Sequence, residues 1–494
     1  ATPTRAPTRV NTPRPPLVVP TTEVVVPTFP PRTGTPSAVT TPTPNRDSPL
    51  ALAQQFDGKA ALAHTRYLTL HELAGRKAGA PGADKAADYI AEKFKAAGLK
   101  PVGDNGTYFQ NFTLPFIDLA EAPTLRLLNA DGLVKRQFKH RVEFSEVIGG
   151  RAGDGQAEGR LVFVGRGTKA DLDLAGDLQN TVALMAPAPT TPRDLITQLS
   201  ARGVLGIIQV TGNAANLQVR FSYIPDSLIR DGQRAVVRVS REVADELLFG
   251  SGATLQELED KLNRDGMAFL ATPNRVSMSV KLVPIRDAPT KNVVGALIGS
   301  DPTLANEVYI VGGHYDHVGV DPDGAVFEGA NDNASGTAVT VALAEFFAQH
   351  AIKPKRTIVF AAWTGEEAGL VGSQYYVDHP IFPLAQTKGY INLDVVGAGS
   401  GEGLTITNDS PTIGGAARRS ATDLGVVFGG GAIGGGSDHE SFAKAGVAAT
   451  FFIWQRYGDI HVPGDTFDKI EVEKLRATGQ VAALTLMRLA EIGK

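Results

Sequence analysis

From Val293 to the C-terminus the chain alternates short apolar, β-branched runs with stretches of helical periodicity, and this alternation limits the fold more than any other feature. Strands are expected at Val293 to Ile298, Val308 to Val311, Thr357 to Trp363, Tyr390 to Val396 and Val447 to Trp454, with helices between them and a closing helix over Glu471 to Glu491. Strands separated by helices return in the same direction, so the expected architecture is α/β, a mostly parallel sheet covered on both faces. In such sheets ligands sit beyond the carboxyl ends of the strands. No repeat of about 20–50 residues recurs, which argues against a solenoid.

Those strand ends are where the chemistry-bearing residues fall. Val308 to Val311 runs into Gly-Gly-His314-Tyr-Asp316-His317-Val-Gly. An acidic loop from Asp321 to Glu328 then returns to Gly-Ala-Asn-Asp332-Asn-Ala-Ser-Gly, where a helix begins with Val339, Leu343, Phe346 and Phe347 on one face. After Thr357 to Trp363 comes Thr-Gly-Glu366-Glu367. Adjacent carboxylates on a regular strand would point to opposite faces, but past Gly365 both can turn to the same rim. The run from Tyr390 reaches Asp394, and the loop after the last strand reads Asp459-Ile460-His461-Val-Pro-Gly-Asp465-Thr466. Singly these signals are weak. A lone His such as His64, His140 or His379 is more often a surface or hydrogen-bonded core residue, and an isolated Glu-Glu is usually a solvated face. Asp394 alone would pass for a turn cap. Their joint placement at four strand ends of one sheet is what makes them a candidate site.

Composition narrows the chemistry. Cysteine is absent from the 494 residues, so no disulfide or thiolate forms, and any metal must be held by imidazole and carboxylate. A net charge of −4 and a pI of about 6.2 give no electrostatic case for nucleic acid or an anionic membrane surface. The apolar run Val447 to Trp454 is far short of the ~20 residues that span a bilayer. The chain begins at Ala1 without Met, so a processed form is expected.

Four segments are expected. Residues 1–50 hold 13 of the 31 prolines amid Thr, too little apolar surface to offset ordering, and are expected to be an extended, disordered linker of the kind common in exported proteins. Residues 51–145 form the first part of the α/β domain, with a helix over Ala83 to Gly98 and first-layer strands at Thr107 to Phe116 and Thr124 to Leu128. Residues 146–276 form a β-rich insert with strands at Leu161 to Val164, Thr181 to Met185, Leu205 to Val210 and Val236 to Val239 and one helix from Arg193 to Arg202. Residues 277–494 complete the α/β domain and carry the candidate site.

The order His-x-Asp, Gly-Ala-x-Asp-Asn-Ala-Ser-Gly, Glu-Glu, Asn-Leu-Asp and a final His followed by Asp-Thr resembles the M28 family of two-zinc peptidases. The resemblance runs from Leu70 to Leu489. It is helped by Gly75-Arg-Lys-Ala-Gly-Ala-Pro-Gly and by Gly436-Ser-Asp-His-Glu-Ser-Phe-Ala-Lys-Ala-Gly-Val. The insert resembles a protease-associated (PA) domain. The family implies a phosphorylase/hydrolase-like sandwich, a mixed and mostly parallel sheet between helices, with a dinuclear site. Carried over residue by residue, His314 and Asp394 would hold one Zn²⁺, Glu367 and His461 the other, and Asp332 would bridge them, with Mn²⁺ or Co²⁺ chemically admissible. Glu366 would be the general base, and Asp316 would act with it by orienting His314.

The sequence departs from the family at Ile460, where some members carry a Tyr that bonds the oxyanion; Tyr457 is the nearest substitute. His317 is expected to be a loop residue. Asp465 is expected either to orient His461 or to stabilise its own turn, and Ser437, Asp438 and His439, with the loop Gly429 to Gly436, either to line the cleft or to form a turn. The function implied is a secreted or extracellular aminopeptidase, cell-surface or periplasmic locations included, acting on peptides or proteins with no nucleic-acid partner and no membrane span. Two alternatives remain: a carboxypeptidase of the glutamate-releasing kind, for which only Arg418-Arg419 offers a basic pair, and a non-catalytic receptor-like module on the same fold. Glutaminyl cyclases share the fold but do not need the His314 and Asp394 pair. Oligomeric state is not encoded in any motif.

Overall fold

Four strands with almost no exposed position form the centre of the main sheet. In the computed structural model they are β1 (Val308–His314), followed by helix α1 (Ser335–Gln349), then β2 (Thr357–Trp363), β3 (Thr387–Leu393) and β4 (Ala449–Trp454), with helix α2 (Val472–Leu489) closing the chain. The structure describes residues 48–492 apart from 190–193, 222, 224, 226–228, 408–409 and 430–435. Most of the linker expected over 1–50 therefore lies outside the described residues. Its last three residues start the first helix, where Pro49 opens Pro49–Ala53 and the Ser48 hydroxyl accepts the Ala51 N–H.

β1 pairs in parallel with β2 on one side and β3 on the other, and β3 pairs in parallel with β4. The flanks are antiparallel: Leu282–Leu297 lies against β2, and Leu404–Ile406 against β4. The expected parallel sheet is thus parallel through its centre and reverses at both sides. Successive side chains alternate between two cores, as a pleated strand requires. Val359, Ala361 and Trp363 of β2 join Ile310, Tyr390, Tyr376 and Phe442 on one face. Ile358, Phe360 and Ala362 join Val311, Ile391, Phe94, Phe347 and Leu484 on the other. Burial on both faces is why these strands appear in the sequence as continuous apolar runs.

The second sheet begins earlier than the sequence texture indicates. Its order is Val134–Gln137, Thr124–Leu128, Leu270–Val280, Gly155–Phe163, Thr181–Met185, Val204–Val210, Val236–Val239 and Phe144–Glu146. Thr124–Leu128, expected in the first layer, instead pairs antiparallel with Leu270–Val280, Leu127 opposite Val276. A short strand carries no label for its partner, and this pairing spans about 150 residues of chain, so periodicity alone assigns it to the wrong layer. The two sheets are joined by a ribbon: Phe109–Leu119 and Leu282–Leu297 pair from Val293 opposite Phe109 to Leu282 opposite Leu119, and the second sheet's pairing starts a few residues further on. The expected helix from Arg193 is seen as Leu195–Ala201, Arg193 itself lying outside the described residues.

α2 shows how closely the helical layer is packed. At Gly479 an added Cβ would stand 2.0 Å from the Phe56 ring, which is buried and packs edge-on against Phe346. In an exposed helix interior Gly→Ala would stabilise by about 1 kcal/mol. Here overpacking, at about 1–3 kcal/mol, opposes that gain and should exceed it. Gly479→Ala is expected to lower the denaturant midpoint at unchanged slope, and a raised midpoint would refute this packing account.

Candidate metal centre

Glycines carry β1 into the crowded carboxyl edge of the sheet. A Cβ at Gly312 would stand 2.1 Å from the Ala361 carbonyl oxygen, and one at Gly313 would stand 2.2 Å from that of Leu393. His314 follows directly, fully buried.

Asp332 is presented by a turn whose polar residues are all bonded. Asn331 Oδ1 accepts the N–H groups of Gly397 and Ala398 at 2.7 and 2.9 Å. Asn333 donates to the Leu393 carbonyl at 2.8 Å and accepts the Gly336 N–H at 2.8 Å. Ser335 donates to the Asn331 carbonyl and accepts the Val396 N–H. The N–H groups of Asn331 and Asp332 donate to Asp465 at 2.9 and 3.0 Å, and the Tyr457 hydroxyl donates to the same carboxylate at 2.6 Å. Asp465 therefore orients the Asp332 turn, and no bond from it to the His461 imidazole is found among the described residues. Tyr457, the substitute considered for an oxyanion contact, is engaged with Asp465.

Asp394 stands just past β3 and is set by a relay of buried hydrogen bonds. Trp363 Nε1 donates to the Tyr390 hydroxyl, which donates to Asn392 Oδ1 at 2.6 Å. Asn392 Nδ2 donates to Ser437 Oγ, and Ser437 donates to Asp394 Oδ2, both at 2.7 Å. That leaves Asp394 Oδ1 facing His314 Nε2 at 3.3 Å, and both atoms are buried without a hydrogen-bond partner. His314 Nε2 is also 3.4 Å from Asp332 Oδ1. Zinc–ligand bonds of about 2.0–2.1 Å in a tetrahedral array set ligand atoms about 3.3–3.4 Å apart. An orphaned nitrogen and oxygen at this separation fit a divalent cation held between them.

A second group adjoins the first through the same carboxylate. Asp332 Oδ2 is 3.2 Å from His461 Nε2, which is 2.7 Å from Glu367 Oε2, a hydrogen-bond separation. Glu366 places Oε2 3.9 Å from His314 Nε2, and its N–H points to Asp316 Oδ1 at 3.3 Å. Asp316, expected to orient His314 through its side chain, does so chiefly through its backbone: the carbonyl is 3.1 Å from Nδ1, the carboxylate 3.7 Å.

Three residues have contacts that the sequence analysis did not foresee. Arg76 is fully buried and its guanidinium donates to the carbonyls of Leu68, Tyr315, Glu328 and Gly329, tying together the loops that carry His314 and Asp332. It lies in the Gly-rich stretch starting at Gly75, whose glycines gave no hint of what the arginine holds. His317 is a loop residue, as expected, but it is fully buried with Nδ1 2.9 Å from Glu367 Oε1 and 3.9 Å from Asp332 Oδ2. Asp438 is also fully buried, at the turn that opens the helix His439–Lys444. Of the loop Gly429 to Gly436, residues 430–435 lie outside the described residues.

Six carboxylates, Asp316, Asp332, Glu366, Glu367, Asp394 and Asp438, thus crowd around three imidazoles. Burial, with Glu367, Asp394 and Asp438 nearby, pushes Glu366 well above the usual carboxylate range despite the opposing pull of His314. Burial raises Asp438 to about 7 and also raises Asp316. Burial works against the charge on Glu367, but His461 and His317 overcome it and hold this group down at about 2. Burial likewise disfavours charge on His314 and His461, yet the carboxylates facing them hold both well above the ordinary imidazole value. An excess of buried negative charge is costly without cations to balance it.

Residues 292–486 match the profile of Peptidase family M28. The chain is 30% identical over 218 residues to Aminopeptidase YwaD of Bacillus subtilis (strain 168), covering 41% of this chain and 45% of that protein. It is 35% identical over 158 residues to Leupeptin-inactivating enzyme 1 of Streptomyces exfoliatus, covering 32% of this chain and 34% of that protein. The chain therefore matches less than half the length of either relative. The solved aminopeptidase from Aneurinibacillus sp. strain AM-1 superposes with a TM-score of 0.62 at 22% identity, covering 90% of this chain and 97% of that one. BSAP, a zinc aminopeptidase from Bacillus subtilis, gives 0.62 at 21% identity, covering 89% and 96%. At these identities the structural likeness establishes the fold.

The titrations carry a pH signature for the metal-free protein. His314 and His461 have raised values, so the stability they contribute is complete below about 6.5 and is lost as pH rises through those values. Glu366 and Asp438 are also raised, favour the neutral form and lose stability as pH rises from about 4 through their raised values, about 7 for Asp438. All four act in one direction. The melting temperature of the metal-free protein is expected to fall between about pH 6 and about pH 9, and saturating divalent metal to remove the fall by favouring the deprotonated ligands. A flat or rising profile without metal would contradict this electrostatic picture.

Proposed function

Because residues 292–486 carry a peptidase family M28 domain, we propose that the protein is a zinc-dependent exopeptidase that removes N-terminal residues from peptides. The observation that carries the proposal is Asp332, whose two oxygens face different imidazoles, Oδ1 toward His314 and Oδ2 toward His461. A carboxylate so shared is suited to bridge two ions. His314 and Asp394 would hold one Zn²⁺ and Glu367 and His461 the other, with His317 fixing Glu367 through its free oxygen. The names of the relatives, an aminopeptidase and a zinc aminopeptidase among them, support the same activity and metal.

When bound, paired divalent ions supply a water of lowered pKa and Lewis acidity toward the scissile carbonyl. The protein's own residues do the rest. Glu366 Oε2 is placed beside His314 and accepts the proton of the attacking water, then returns it to the leaving amine. Burial raises its proton affinity, which favours its holding the proton between the two transfers. Asp316 holds the Glu366 N–H and, through its carbonyl, the His314 ring.

The use of Arg76 favours the amino end of the substrate. Arg76, the arginine behind the site, uses its guanidinium on four backbone carbonyls and offers nothing to a substrate carboxylate. The Thr/Pro-rich first fifty residues support an exported protein, and no helix among the described residues is long and apolar enough to cross a membrane.

Aminoacyl-p-nitroanilides with a free amine should be hydrolysed, and their N-acetylated forms should not. A chelator should abolish turnover, and added Zn²⁺, Mn²⁺ or Co²⁺ should restore it. Glu366→Gln should lower kcat about 10²–10⁴-fold with little change in KM. Turnover that survives the chelator, or full activity in Glu366→Gln, would reject the mechanism.

A further inference from the structure

The β-rich insert meets the candidate centre just past the short helix Ala214–Leu217, where Val219 and Arg220 lie against the turn that carries His461. The N–H of Arg220 donates to the His461 carbonyl at 2.9 Å. The carbonyl of the same peptide unit, on Val219, accepts Nη1 of Arg141 at 2.8 Å. Arg141 is itself buried and paired with Glu146 at 2.6 Å and Asp321 at 2.8 Å. Arg220 is 1% exposed, and its side chain spans Asp118 at 3.0 Å, on the ribbon joining the sheets, and Asp321 at 3.2 Å, in the loop between β1 and Asp332. Tyr223 anchors the far end of the segment, its hydroxyl bonded to the Ala78 N–H and its ring against Phe116.

His461 has good reason to need such support. Its φ is +59°, a left-handed conformation that a non-glycine residue keeps only where its surroundings over-determine it. The neighbouring Ile460 is 39% exposed and fixes little. Among the described residues, Arg220 is the partner of the His461 carbonyl.

We propose that the β-rich insert is a working part of the centre: Arg220, held by Asp118, Asp321 and Arg141, positions His461 through its own backbone N–H. This rests on His461 being a ligand of the second ion. Arg220 touches neither substrate nor metal and is a positioning residue. The half of the centre built from Glu367 and His461 depends on the insert, and the half built from His314 and Asp394 does not.

The test is zinc affinity of the full chain, read by competition with a chromophoric chelator and independent of turnover. Arg220→Lys keeps the charge but cannot span both carboxylates. The pair Arg220→Met with Asp321→Asn removes one cation and one anion together, leaving Arg141 with Glu146 and Lys77 with Asp118. It decides the matter if the Lys variant does not fold. The expected result is that one of two zinc ions is weakened about 10–100-fold while the other binds as in the parent. Unchanged affinity at both steps overturns the proposal, as does equal weakening of both, which would report general destabilisation. A parent chain that binds fewer than two zinc ions would instead refute the two-ion centre on which the proposal rests.

Discussion

Like charge concentrated at one edge of a sheet is the constraint around which this protein is built. The ends of β2 and β3 and the turn before α1 deliver Asp332, Glu366, Glu367 and Asp394 into a largely buried space, and two further carboxylates, Asp316 and Asp438, are buried close to them. Such an arrangement is unfavourable unless each group is fixed by hydrogen bonds and balanced by positive charge. The imidazoles of His314, His317 and His461 supply part of that balance within reach of the carboxylates, and Arg76 lies close enough that burial lowers its own value only to about 10 while Asp465, Asp316, Asp332 and Glu367 pull it back. Divalent ions would supply the remainder.

Precision comes from residues that touch no substrate. Arg76 gathers carbonyls from the loops that carry His314 and Asp332, Asp465 gathers the N–H groups of the Asp332 turn, and the Trp363–Tyr390–Asn392–Ser437 relay aims Asp394. Each uses a buried polar group fully enough that moving one partner would strand another, which is how a buried network specifies a single geometry. The parallel centre of the sheet is what permits this: it brings strand ends from distant parts of the sequence to a common edge.

The two sheets share more than a covalent connection. A two-stranded ribbon leads from the main sheet to the second, and a largely buried layer of Arg141, Arg220, Asp118, Asp321 and Glu146 lies where they meet. Buried ion pairs contribute little net stability, because desolvation opposes their attraction, but breaking one partner from the set is strongly unfavourable. Such a layer therefore sets register between the sheets more than it adds to stability, consistent with a role in holding the His461 turn at a defined place.

The sequence by itself determined the central strands and their order along the chain, because doubly buried strands leave continuous apolar runs that no other element produces at that length. It also placed His314, Glu366, Glu367 and Asp394 just past strand ends, Asp332 at a helix start and His461 in the loop after the last strand, since the glycines and turns that end each strand are local signals. Only the tertiary structure decided which layer Thr124–Leu128 joins, that Asp465 serves Asp332, that His317 meets Glu367, and that Arg76 and Arg220 hold the surrounding loops. Those are pairings between residues tens to hundreds of positions apart, and a partner that distant leaves no trace in the spacing of either residue's neighbours.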